Sequence, residues 1–116
     1  MHIVVAGHVN LEDGNNRDEI IAGAKPYIEA AWAELGCLAY NWTPDPFLTD
    51  RIHVFEEWSG EKELADHLSG QPYRDMLAHL GGAGIKSSVT QKYKIEHIEP
   101  VYDERGVPRA NFFTEK

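Results

Sequence analysis

Two rhythms of apolar residues alternate along this chain, one repeating every second position and one every third or fourth, and their order lays out the fold. His2 to Val9 is short and rich in β-branched residues, and polar turn formers follow it from Asn10 to Asn16, so it reads as a strand leaving into a loop. Asp13-Gly14 makes a tight turn there, and Asn15 or Asn16 can cap the next element. Ile20, Ala24, Tyr27, Ile28, Ala31 and Leu35 then form one apolar stripe on a helix over residues 17–35, ended by Gly36 as its C-cap. Pro26 falls inside it; because the stripe keeps its phase on both sides, the pattern predicts one kinked helix.

Residues 37–43 alternate as a strand until Thr43-Pro44-Asp45-Pro46 forces a turn. Residues 51–58 alternate again, with Ile52, Val54, Glu56 and Trp58 on one face and His53, Phe55 and Glu57 on the other. Ser59 is placed to cap a short helix with Glu61 and Glu63 in its first turn, Leu64 and Leu68 on its buried side and His67 beside them. Pro72 opens a further helix bearing Tyr73, Met76, Leu77 and Leu80, which Gly81 to Gly84 closes. A last strand covers residues 87–98, with Val89, Gln91, Tyr93, Ile95 and His97 on one side and a bulge where Ile98 breaks the phase.

The order β-α-β-β-α-(α)-β is close to the ferredoxin-like unit, an α+β fold with a four-stranded antiparallel sheet and helices on one face. The length suits one domain over residues 1–116, with 101–116 as a C-terminal tail. Apolar residues on both faces of the strands exceed what one helix layer covers, which predicts a homodimer through the sheet faces, with the ligand cavity between sheet and helices or between sheets. Phe112 and Phe113 in the tail are expected to dock, with the partner chain as one destination.

Charge narrows the partners. With 19 acidic against 11 basic side chains the net charge is −8, which disfavours nucleic acid and anionic membrane. Lys86, Lys92 and Lys94 read as a solvated or edge-protecting face of the last strand. The single cysteine, Cys37, gives no disulfide framework and reads as a small buried hydrophobe. The N-terminus lacks the basic and apolar regions of a signal peptide, and no apolar run nears the ~20 residues of a membrane span, so a cytoplasmic protein is expected.

Glu34-Leu35-Gly36-Cys37-Leu38-Ala39-Tyr40, Phe55-Glu56-Glu57-Trp58, and Ala65-Asp66-His67-Leu68 with Pro72-Tyr73 resemble the antibiotic biosynthesis monooxygenase family, also called quinol monooxygenase-like. The resemblance runs from about Ile3 to Ile98, Pro26 included. It implies a homodimeric α+β barrel. Some family members oxidise anthrone-like polyketides or quinols with molecular oxygen and no metal or flavin, while relatives of the same fold degrade haem or have no known activity.

Cofactor-free oxygenation requires a base to deprotonate the substrate and a dry, aromatic pocket to hold the anion. His67 matches the family's helix histidine and is the candidate base; its other reading is a packing histidine that bonds a strand end. Trp58 matches the family's tryptophan at the end of the third strand and is the candidate ring-stacking wall, or plain core. Tyr73, Asn41, Tyr40 and Trp42 complete a substrate-binding set of donors and aromatic surfaces, to which His53 and His8 belong if their strand faces line the cavity. Glu56 reads as a buried structural acid in need of a partner. No cofactor or metal site is expected, since no two of the six histidines make a His-x-His or His-x-x-x-His pair. The expected substrate is a small electron-rich aromatic; the alternatives are a non-catalytic barrel that binds a small hydrophobic ligand, and a haem binder using His67.

Overall fold

Strands β1 (His2–Leu11) and β3 (Arg51–Trp58) form the centre of the sheet, flanked by β2 (Cys37–Pro44) beyond β3 and β4 (Ile85–Ile95) beyond β1, all neighbours antiparallel. The computed structural model describes residues 1–115 of the chain. Helices α1 (Arg17–Gly23) and α2 (Lys25–Trp32) connect β1 to β2, and α3 (Glu61–Leu68) and α4 (Gln71–Ala83) connect β3 to β4. This is the ferredoxin-like order expected from the periodicities.

Register decides which residues the helices cover. Ile3 lies opposite Trp58, Val5 opposite Glu56 and Val9 opposite Ile52. Tyr40 on β2 lies opposite Glu56 and Trp42 opposite Val54. These side chains share one face, and with Ala24, Ala31, Leu64, Met76 and Leu80 from the helices they supply most of the buried residues. The opposite face carries His8 opposite His53, Ala6 opposite Phe55, and Val89 and Tyr93 on β4. Phe55, Val89 and Tyr93 are exposed there, since no helix packs on that face.

The sheet does not close. β2 and β4 are its two open edges, so the barrel implied by the resemblance is not formed. Four strands at ~4.8 Å spacing leave the edges about 14 Å apart, far outside pairing distance, and even the smallest common barrels use about eight.

Pro26 also acts differently from the expected kink. It ends one helix and starts another, because it cannot donate to the carbonyl of Ala22. Ala24 closes α1 by donating to Ile20 and Ile21, and its own carbonyl accepts from Tyr27 and Ile28 to open α2, with Pro26 in the tolerated first turn. Leu35 falls outside α2 and is exposed, so the stripe ends earlier than its period suggested. β4 begins at Ile85 and ends at Ile95; its irregularity lies at the start, opposite Asn10 and Leu11, not near Ile98.

Beyond β4 the chain folds on itself. Glu99 accepts from the amides of Phe113 and Thr114, and Asp103 accepts from the amides of Arg105 and Val107 and from the Arg109 guanidinium. Ile98, Val101, Tyr102 and Phe112 remain exposed around this knot.

Candidate functional site

A cavity of about 420 Å³ lies between the covered face of the sheet and helices α3 and α4. Its apolar walls are Val5 and Val54 from the sheet, Leu64 and Leu80 from the helices, and Ile85 at the start of β4. Strand alternation puts Glu56 and Trp42 on the same wall, and Tyr73 closes it from the first turn of α4. Lys92 reaches it from β4, two strands across from Glu56, because both residues pair with Val5.

Glu56 is 8% exposed, a carboxyl group set among hydrocarbon. Burial pushes its proton affinity above the ordinary carboxylate range, against the opposing effects of the Trp58 indole and His67. Trp58 donates its Nε1–H to Glu56 Oε1 at 3.0 Å. Nε2 of His67 lies 3.9 Å from the same oxygen, and Nδ1 lies 2.6 Å from Oε1 of Glu34. Because a carboxylate accepts, Glu34 holds a proton on Nδ1 of the imidazole and leaves Nε2 turned towards Glu56.

Aromatic rings hold this arrangement in place. His67 lies tilted on Trp58, centroids 4.4 Å apart and planes 30° apart, and meets Tyr40 and Tyr73 in T-shaped contacts with centroids 5.4 and 5.7 Å away. Burial drives the Tyr40 phenol well up, partly offset by the nearby Trp42 indole. The indole N–H of Trp42, the group that lowers Tyr40, is fully buried and makes no hydrogen bond of good geometry among the described residues, in a side chain that lines the cavity. Cys37 is half-buried, and burial pushes its thiol up, as does the negative charge of Glu34 and Glu56, which suits an inert side chain.

The structure thus brings His67, Trp58, Tyr40, Trp42 and Tyr73 into one cluster, but only Trp42 and Tyr73 of these line the cavity. His67 and Trp58 stand behind Glu56, with His67 only 1% exposed. Asn41 faces a separate groove between β2 and α2, alongside Trp32 and Ile28. His8 and His53 lie on the opposite face of the sheet, 6.3 Å apart, where His53 bonds Asp45. The sequence placed Glu56 on the right face but gave it no chemistry; Lys92 is exposed on the edge strand β4, as its reading as a solvated or edge-protecting residue has it, and it also lines the cavity. The signal for Glu56 was there: a carboxylate in an otherwise apolar alternation is costly unless it is used or paired.

Among the described residues no three His, Cys, Asp or Glu side chains are arranged to hold a metal ion. A haem iron would need a free imidazole nitrogen; His67 offers none to the cavity, with Nδ1 engaged by Glu34 and Nε2 behind Glu56. No described helix is long and apolar enough to cross a membrane.

No protein-family model and no curated protein matches this sequence. Solved structures do match it in fold. A protein from Bacteroides thetaiotaomicron described as a possible oxidoreductase superposes with a TM-score of 0.70 at 20% identity, over 81% of this chain and 97% of its own. A candidate antibiotic biosynthesis monooxygenase from Deinococcus radiodurans gives 0.71 at 14% identity, over 85% and 97%. Another from Nitrosomonas europaea gives 0.73 at 11% identity, over 83% and 91%. The chain shares the fold of structures named for antibiotic biosynthesis monooxygenases. The resemblance carried by the Glu34–Tyr40, Phe55–Trp58 and His67 segments is met at that level, and at these identities it is the fold that is shared.

Proposed function

We propose that this chain is a cofactor-independent monooxygenase that oxidises a small electron-rich hydroxyaromatic, of quinol, phenol or anthrone type, with molecular oxygen. The observation that carries this reading is a buried carboxyl group of raised proton affinity, Glu56, opening on an apolar cavity beside an unpaired indole donor.

In this reading Glu56 takes the proton of the substrate hydroxyl or acidic carbon. The N–H of Trp42 and the ammonium of Lys92, which comes in from the exposed edge strand, stabilise the anion, and the surrounding hydrocarbon strengthens the interaction with Trp42 by excluding water. The anion then passes one electron to O2, and the radical and superoxide combine into a peroxide at the ring carbon. Loss of water completes the reaction: one oxygen atom becomes the new carbonyl, and the other leaves with the two hydrogens the substrate gives up. The four electrons removed from the substrate reduce one O2, so no external reductant enters. His67 and Trp58 act on Glu56 and not on the ring, which Tyr73 and the aliphatic walls hold. Two copies pair through the exposed faces of their open sheets, where Phe55, Val89 and Tyr93 have no cover.

Oxygen uptake by metal-stripped protein on a panel of quinols, naphthols and anthrones, corrected for autoxidation and followed with isotopically labelled O2, tests the assignment. Uptake above background with one labelled atom in the product supports it. Ligands that bind the cavity with no uptake across the panel would establish the binding-protein reading instead.

A further inference from the structure

Behind the cavity, His67 and Glu34 continue from Glu56 as a line of titratable groups, and neither of the two touches the substrate. Glu56 belongs to β3, His67 to α3, and Glu34 to the loop between α2 and β2, so three separate elements contribute one group each. Exposure is least in the middle of the line, 1% at His67, against 10% at the Glu56 side chain on the cavity and 20% at the Glu34 side chain on the outside. Glu34 is therefore the end that meets solvent.

Two glycines keep this outer end open. Gly36 adopts φ +80°, where a side chain is strained, and a Cβ there would lie within 2.7 Å of Glu63 and Ser59 side-chain atoms. Gly70 leaves bare the space beside Glu34 Oε2, which a Cβ would approach to 3.2 Å. The carboxylate of Glu34 can therefore turn in beneath α3 and reach His67 while the loop stays at the surface.

We infer that Glu34, His67 and Glu56 are a proton relay connecting the cavity carboxyl group to solvent when ligand fills the cavity. The inference rests on Glu56 being the cavity base. In the outward direction the 3.9 Å between Glu56 and Nε2 of His67, beyond hydrogen-bond distance at rest, closes and Glu56 gives its proton to Nε2, the Nδ1 proton passes to Glu34, and Glu34 releases a proton to water. One proton leaves, and the imidazole ends with its hydrogen on Nε2. The return of a proton along the same line restores the Nδ1–H form, so an outward and an inward transfer reset the relay. The other titratable groups against His67, the phenols of Tyr40 and Tyr73, make T-shaped ring contacts with it and take no part. Lys92 faces Glu56 from the opposite side of the cavity.

The test reads proton exchange directly and needs no turnover, so it stands apart from the oxidase reading. In protein labelled with 15N, solvent exchange of the His67 ring N–H is compared with that of the Trp58 indole N–H, in the presence of a bound non-oxidisable naphthyl ether. Both groups are buried in one cluster, but an indole cannot relay. The relay predicts that His67 is at least about tenfold less protected than Trp58, each rate being taken relative to that of the free imidazole or indole N–H, and that Glu34→Gln slows the His67 rate by about the same factor while the amide still accepts from Nδ1. Equal protection of the two N–H groups, as opening of the whole cluster would give, would overturn the relay, as would an unchanged His67 rate in Glu34→Gln. The wild-type comparison decides the question even if the variant fails to fold.

Discussion

Trp58 and Glu56 are two residues apart on one strand face, and the indole N–H of one satisfies the carboxyl oxygen of the other at 3.0 Å. Trp58→Phe keeps most of the packing and removes that donor, so it should cost about 1–3 kcal/mol in urea unfolding, the cost of leaving a buried acceptor unsatisfied. A cost near zero would mean that water reaches Glu56 freely. Glu56 also sets a pH slope. Because burial raises its proton affinity in the fold, its contribution is complete below the ordinary value of about 4.3 and is lost as pH rises through the folded value. Glu56→Gln removes this loss, so its stability relative to the wild type should climb as pH rises above the ordinary carboxylate value, and a flat difference would show that Glu56 stays solvated. The sequence made His67 and Trp58 visible as candidates, but periodicity only assigns a strand residue to a face. It could not show that His67, arriving from α3, comes to rest behind Glu56 instead of in front of it.

At the scale of elements, β2 and β3 are legible to within a residue because alternation is local, whereas β4 runs over 85–95 with its irregularity at the start. The α1–α2 boundary is not legible, because two short helices with one stripe have the same phase as one kinked helix; only the bonds around Ala24 distinguish them. The tail was harder still, since it is organised by carboxylates and not by periodicity. Burial alone would raise the Glu99 carboxyl, but the Phe113 amide, His97 and Thr114 outweigh it and hold it at about 2. The stability this gives the tail is present above the ordinary value of about 4.3 and disappears as pH falls through the folded value. The Phe113 and Thr114 amides should therefore lose their distinct NMR positions as pH drops from about 4 to about 2, while β1 and β3 keep theirs. Unchanged tail amides at the acid end would mean that apolar contacts, not Glu99, hold the tail.

For the whole molecule, the radius of gyration of 16.3 Å exceeds the roughly 13 Å of a compact chain this long, consistent with a body that does not bury all it presents. The sequence showed this as apolar residues on both strand faces, and the structure locates the excess on the outer sheet face and along the tail. What the sequence could not show is closure: the number and pairing of edges is a property of the assembled sheet, and the edges at β2 and β4 stay open. Sedimentation equilibrium at micromolar concentration should give twice the chain mass, and Phe55→Lys should shift it towards the monomer by placing a charge in the proposed contact. A monomeric wild type would refute pairing through that face. The central claim, however, is that the carboxyl group in the cavity takes a proton from a hydroxyaromatic. Anaerobic difference spectroscopy of a bound naphthol, neutral in solution at about pH 7, tests it before any oxidation intervenes. The account predicts the red-shifted band of the naphtholate on the wild type and its loss in Glu56→Gln; the spectrum of neutral naphthol on both proteins would contradict it.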